Sequence, residues 1–300
     1  MANQSDILEQ FSNALAARAG AARDAVTAIR VSAARHLTGT VWRSDLLVAS
    51  EQALPKRDKF DIVLPGGGAG EAQLAGRDPG TNIALLRLLQ PIAAPPASQA
   101  SAAAGALALA FGADGTGGAT ARMGLVNGVG PEWHSHAGGR IDARLVLDMR
   151  LGPAEEGGPV FDAAGSRLGI TTFGPRGRVL VIPAATVEAV IPLLLLHGRV
   201  ARGWLGLAFQ PVALPDPLQA QAGQSSGLMV LSVAADGPAA KAGVIPGDIV
   251  LAVDGAPATG VRRIVPRLGA DSVGRAADVR LLRGGALVTV QAVIEARPAA

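Results

Sequence analysis

The chain has 300 residues, room for two or three domains, and 49% of them are hydrophobic, enough to fill real cores. Aromatic residues are only 3% and tyrosine is absent, which excludes a base-stacking platform and leaves the cores to Val, Leu, Ile and Ala. The isoelectric point of about 10.1 sits beside a formal net charge of only +3, because without Cys or Tyr almost nothing titrates between the carboxylates and the lysines. No Lys/Arg run is present to track a phosphate backbone, so no nucleic-acid partner is expected. The absence of Cys excludes disulfides and thiolate metal sites.

In chain order, the opening residues through Gly20 are partly acidic, with no basic start and no long apolar run. No secretory signal is read from them, and a cytoplasmic protein is expected. Asp6 with Glu9 resembles a capping box, and Leu8, Phe11, Leu15, Ala19 and Ala22 recur at helical spacing, which predicts an amphipathic helix from about Ser5 to Arg23. From Ala25 to Pro183 the pattern becomes short β-type runs separated by Gly, Pro or Asp, among them Leu46 to Ala49, Phe60 to Leu64, Ala84 to Leu88, Met123 to Val126 and Leu168 to Phe173. The Gly-rich stretch Leu64 to Gly70 lacks the Gly-Lys-Ser/Thr of a phosphate loop and is read as a hairpin turn.

The Pro/Ala/Ser stretch Pro91 to Gly105 separates two sets of strands, so two barrels are expected. A helical segment, Ala184 to Leu196, leads to a small α+β unit beginning near Gly203. Its LLLL run after Pro192 is far shorter than the roughly 20 apolar residues of a membrane span, and no span is expected.

Five stretches in order resemble the HtrA/Deg-type serine proteases with one PDZ domain. They are Leu47 to Leu54, Phe60 to Leu88, Leu145 to Ile170, Val179 to Leu207 and Ser232 to Ala258, the last with Pro238, Ala239, Ala242, Gly243, Gly247, Asp248 and Gly255. The resemblance implies a mainly β fold. A trypsin-like (chymotrypsin-fold) two-barrel domain over residues 25–198 follows an N-terminal helix over residues 1–24 and precedes a PDZ domain over residues 199–300. It also implies a homotrimer, and no cofactor.

At the positions matching the family's catalytic triad stand Gln52 for the base, Asn82 for the orienting acid and Glu156 for the nucleophile. Acyl transfer by a Ser-His-Asp set needs a hydroxyl, a titrating base and an anion behind it. Loss of nucleophile or base alone costs on the order of 10^6 in turnover. The expectation is therefore a pseudoprotease, not an enzyme, with a residual or non-classical serine-type peptidase as the alternative. Glu156 is expected either to turn towards Gln52 and the neighbouring backbone donors or to swing into solvent, with Glu155 beside it as a surface acid.

The function expected is a peptide-binding scaffold or quality-control adaptor that takes protein C-termini or extended segments through the PDZ domain. By resemblance Trp204, Leu205, Gly206 and Leu207 form the carboxylate-binding loop, and a helix bearing Ile264, Val265 and Leu268 lines the pocket for the last side chain. Pro266 lies within that helix and is expected to distort it. His134 and His136, two residues apart, share one face of an extended strand and are weak metal candidates without a third ligand, so a metal-binding pseudoprotease is a further alternative. His36 and His197 are read as structural.

Overall fold

The computed structural model describes residues 4–95 and 98–298. Pro96 and Ala97 of the expected connector, and the outermost residues of the expected first and last segments, lie outside the described residues. Helix α1 (Gln4–Ala22) leads into a closed antiparallel barrel of β1 (Val26–Arg30), β2 (His36–Arg43), β3 (Leu46–Ser50), β4 (Lys59–Val63), β5 (Ala69–Asp78) and β6 (Ile83–Leu88), in the order β1-β2-β3-β6-β5-β4. The Gly-rich stretch is the β4–β5 hairpin, closed by the Leu64 N–H to Gly68 O bond of 2.7 Å.

A second closed barrel follows from β7 (Leu107–Ala113) and β8 (Ala119–Gly130), then, after the short ribbon of β9 (Trp133–His134) and β10 (Arg140–Ile141), from β11 (Arg144–Asp148), β12 (Pro159–Asp162), β13 (Arg167–Phe173) and β14 (Val179–Pro183). Strand β8 runs well beyond the expected Met123 to Val126, and β5 appears where its polar side chains and Gly76 hid a strand from apolar runs alone.

Strand β3 reads LLVAS and is buried along its whole length because both its faces are covered. Leu47 and Ala49 point into the first barrel's core, while Leu46 and Val48 pack with α2 (Ala184–His197) through Val187, Ile191 and Leu194. A strand covered on both faces loses the alternation that marks a half-buried one. Helix α2 ends where Gly198 takes φ 69° and its N–H reaches Leu194 O at 2.9 Å, an αL cap that places His197 in the last turn.

Two compact units result: the residues up to Trp133 with Ile141–Val200, and His134–Arg140 with the residues from Ala201 on. In the second unit, β15 (Gly203–Trp204) pairs with the final β22 (Glu295–Ala296). The main sheet comprises β16 (Leu207–Ala213), β17 (Ser226–Val233), β18 (Ile249–Val253), β20 (Ala276–Arg283) and β21 (Ala286–Val293), with β19 (Ala256–Pro257) beside β18. Short helices α3 (Asp216–Ala222), α4 (Pro238–Lys241) and α5 (Val261–Ile264) connect the strands, around a core that includes Leu205, Leu228, Val250 and Leu281. The helix expected to carry Ile264, Val265 and Leu268 is broken: α5 stops at Ile264, and Val265–Leu268 continue as a 3-10 turn. Pro266 accounts for this, having no N–H to give and a ring that clashes with the preceding turn.

Candidate functional site

In the first unit the three triad-matching positions come together where the two barrels meet. Gln52 sits in the turn after β3, and that turn is held by Arg77, which donates to Leu54 O at 3.0 Å and lies 3.6 Å from Glu51. Asn82 ends a turn organised by the buried Asp78, whose carboxylate accepts the Gly80 and Thr81 N–H groups and the Thr81 hydroxyl. At φ 58° Asn82 is left-handed, a conformation that Asn tolerates better than most residues. Glu156 follows the 3-10 turn Pro153–Glu155 and precedes Gly157 at φ 85°. Behind it Gly158 packs so closely on β7 that a Cβ would stand 1.9 Å from Phe111 O, which fixes the turn against the barrel wall.

Glu156 is buried, not solvated. Its Oε1 accepts from Gln52 Nε2 at 2.5 Å, from the Ser50 hydroxyl at 2.8 Å and from the Thr172 hydroxyl at 3.4 Å. Its bonds thus go to side chains rather than to a backbone anion hole. Asn82 completes the cluster, its Oδ1 accepting the Gln52 N–H at 2.7 Å and its Nδ2 donating to Thr172 Oγ1 at 2.7 Å. Ser50 and Thr172, which sequence reasoning missed, supply hydroxyls from β3 and β13; only their alternation against Ala49 and Thr171 could have signalled their direction. Glu155 corrects its expectation as a surface acid: it is buried, accepting from Arg122 Nε at 2.9 Å and from the Gly152 N–H at 2.5 Å. The amide of Gln52 takes no proton at neutral pH, so acyl transfer here cannot be written through an imidazole or through a hydroxyl at position 156.

In the second unit, all seven residues expected around a peptide terminus line one pocket of about 140 Å³: Trp204, Leu205, Gly206, Leu207, Ile264, Val265 and Leu268. Phe209, Val261, His136, Arg202 and Arg297 share its wall and were not foreseen as part of it. The pocket opens beside β16, which among the described residues is an edge strand paired with β17. Gly206 has φ 77°, and a Cβ there would press on Ala234 and on the Trp204 ring. His136 meets Arg262 at 2.8 Å, His134 lies in β9, and no group of three His, Asp or Glu able to hold a metal occurs among the described residues. His36 Nε2 lies 2.9 Å from Ala113 O, and His197 closes α2.

Residues 37–170 match the family model of the trypsin-like peptidase domain, and residues 203–294 that of the PDZ domain. A probable periplasmic serine endoprotease, DegP-like, of Brucella suis biovar 1 is 28% identical over 262 residues, covering 84% of this chain and 50% of the relative. The serine endoprotease DegS of Escherichia coli K12 is 26% identical over 268 residues, covering 84% and 74%. The solved structure of the HtrA-type protease AlgW with tripeptide superposes with a TM-score of 0.72 at 27% identity, covering 95% of this chain and 98% of that one. The chain spans about half the length of the first curated relatives it matches.

These names overturn two expectations. The expectation that the chain is not an enzyme is contradicted by relatives named as serine endoproteases, which point to an enzyme; the residues at Gln52, Asn82 and Glu156 bear on one acyl-transfer route. The cytoplasmic expectation fails as well, because the relatives are named periplasmic and the composition of the opening residues does not decide the compartment. No helix among the described residues is long and apolar enough to cross a membrane. The chain is a trypsin-like peptidase domain followed by a PDZ domain, homologous to the HtrA-type proteases DegP, DegS and AlgW.

Proposed function

We propose that the chain is a periplasmic, homotrimeric HtrA-type protein that captures free protein C-termini or extended segments in its PDZ groove and serves as a scaffold for the clients it holds. Residues 25–198 are assigned to the trypsin-like domain and 199–300 to the PDZ domain. The carrying observation is the direction of two peptide units. The carbonyls of Leu205 and Gly206 accept the Ala239 and Ala234 N–H groups at 2.9 and 2.7 Å. In a trans peptide the N–H points opposite to the carbonyl, so the Gly206 and Leu207 N–H groups face away from those partners, and no cis bond occurs among the described residues.

Successive backbone N–H groups of such a loop can cradle a carboxylate. Leu205, Ile264, Val265 and Leu268 then offer an apolar socket for the last side chain, and the peptide backbone extends the sheet along β16. A relative solved with a bound tripeptide supports the same reading.

Calorimetry of the full chain with a peptide ending in an apolar residue, as free acid and as C-terminal amide, tests it. Amidation is expected to weaken binding about tenfold or more, since it removes a charge-assisted pair of hydrogen bonds. Equal affinity of acid and amide would overturn the assignment.

A further inference from the structure

The PDZ groove has a charge bias that its apolar floor does not explain. Arg202 and Arg297 are among the residues that line the pocket, and none of the lining residues carries a carboxylate. The backbone holds these two arginines side by side: β15 pairs with β22 so that Gly203 faces Ala296, and the Arg297 N–H donates to Arg202 O at 2.8 Å.

The other wall repeats the sign. Along Val261–Leu268 the exposed charged residues are Arg262, Arg263 and Arg267, with no acid among them. Arg262 follows the lining Val261, and its guanidinium reaches the lining His136 at 2.8 Å.

We propose that this groove selects C-terminal segments carrying acidic side chains immediately upstream of an apolar last residue. The inference rests on the C-terminus reading given above and deepens it. An extended peptide beside β16 sends alternate side chains to opposite faces, so upstream residues alternate between the broken helix with Arg262 and the open side of the sheet. Guanidinium groups bind carboxylates through parallel N–H donors, which favours Asp or Glu there over a neutral side chain and disfavours Lys. A groove between a strand edge and an aliphatic helix face suits an extended peptide that adds to the sheet.

The test uses the full chain and three decapeptides that share the same last residue, Val, with Glu, Gln or Lys at the third and fourth positions from the end, each as free acid and as amide. Fluorescence anisotropy at low and at high salt reads the affinities. The Glu acid is expected to bind about tenfold more tightly than the Lys acid at low salt, with Gln between them, and the spread should shrink at high salt, as for partly exposed pairs. Arg262→Glu is expected to remove or reverse the order while the Gln acid still binds, which also reports that the groove has stayed folded.

If Glu, Gln and Lys acids bind equally and all lose affinity as amides, the acidic selectivity is overturned and the C-terminus reading stands. If each acid and its amide bind equally, the C-terminus reading falls. Absence of binding by every peptide overturns both.

Discussion

Asp248 and Glu156 are two buried carboxylates that the chain satisfies in different ways. Glu156 is held by neutral donors, the Gln52 amide and the Ser50 hydroxyl, and so joins the two barrels without a cation. Asp248 is held by a bidentate Arg283, at 2.8 and 2.7 Å, and by the Ile245 N–H at 2.9 Å. Burial alone would raise the Asp248 carboxyl, but the Arg283 hydrogen bond, the Ile245 N–H and the Arg283 charge together outweigh it and hold it below the usual carboxylate range. A depressed folded value contributes stability that is present above the unfolded carboxylate range and is lost as pH falls through the folded value. Asp248→Asn is therefore expected to destabilise the PDZ domain by about 2 kcal/mol at neutral pH, with the gap to wild type closing below about pH 4. Urea unfolding followed by Trp204 fluorescence across pH, with Trp42 and Trp133 replaced by Phe in both proteins, checks this; a gap that persists unchanged at pH 3 would contradict it. The resemblance made Asp248, Gln52, Asn82 and Glu156 legible in the sequence. Ser50 and Thr172 stayed hidden, because a hydroxyl on a buried strand carries no local mark of what it faces.

Among elements, α1 is an amphipathic helix that uses only part of its stripe. Leu15, Ala19 and Ala22 pack on a cluster with Val63, Phe111 and Phe161, whereas Ile7, Leu8 and Phe11 remain exposed. Leu15→Ala is expected to cost about 1–2 kcal/mol, since the side chain is half-buried and the site can partly close, while Leu8→Ala should change stability by no more than about 0.5 kcal/mol. Thermal unfolding of the two variants compares them directly, and equal effects would mean that the helix packs as one piece. The helix was legible because its 3.6-residue period persists over four turns. The broken α5 was half legible: Pro266 announced a distortion, but whether the chain kinks or changes to a 3-10 turn depends on the packing of Val265 and Leu268 around the pocket. Strand β16 carries Pro211, which has no donor for either neighbour and is tolerated at an edge.

For the whole molecule, Ile7, Leu8 and Phe11 form an exposed apolar stripe on α1 that a partner surface would cover. The proposed homotrimer supplies one. Light scattering should find trimers of the full chain at micromolar concentration, and the triple change Ile7→Ser, Leu8→Ser and Phe11→Ser should yield monomers. A monomeric wild-type chain would remove the trimer from the reading, and a triple variant that stays trimeric would place the assembly contact elsewhere. By itself the sequence determined the two barrels, the PDZ domain and their order, because strand runs, Gly/Pro punctuation and the five stretches are local patterns that survive without coordinates. It also determined which residue types stand at Gln52, Asn82 and Glu156. Only the tertiary structure decided that Glu156 turns inward onto Ser50 and Gln52, that Glu155 is buried against Arg122, and that Arg202, Arg262 and Arg297 gather at one groove. Those outcomes depend on pairing between segments far apart in the chain, such as β15 with β22, and a register set at long range leaves no trace in the residues nearby.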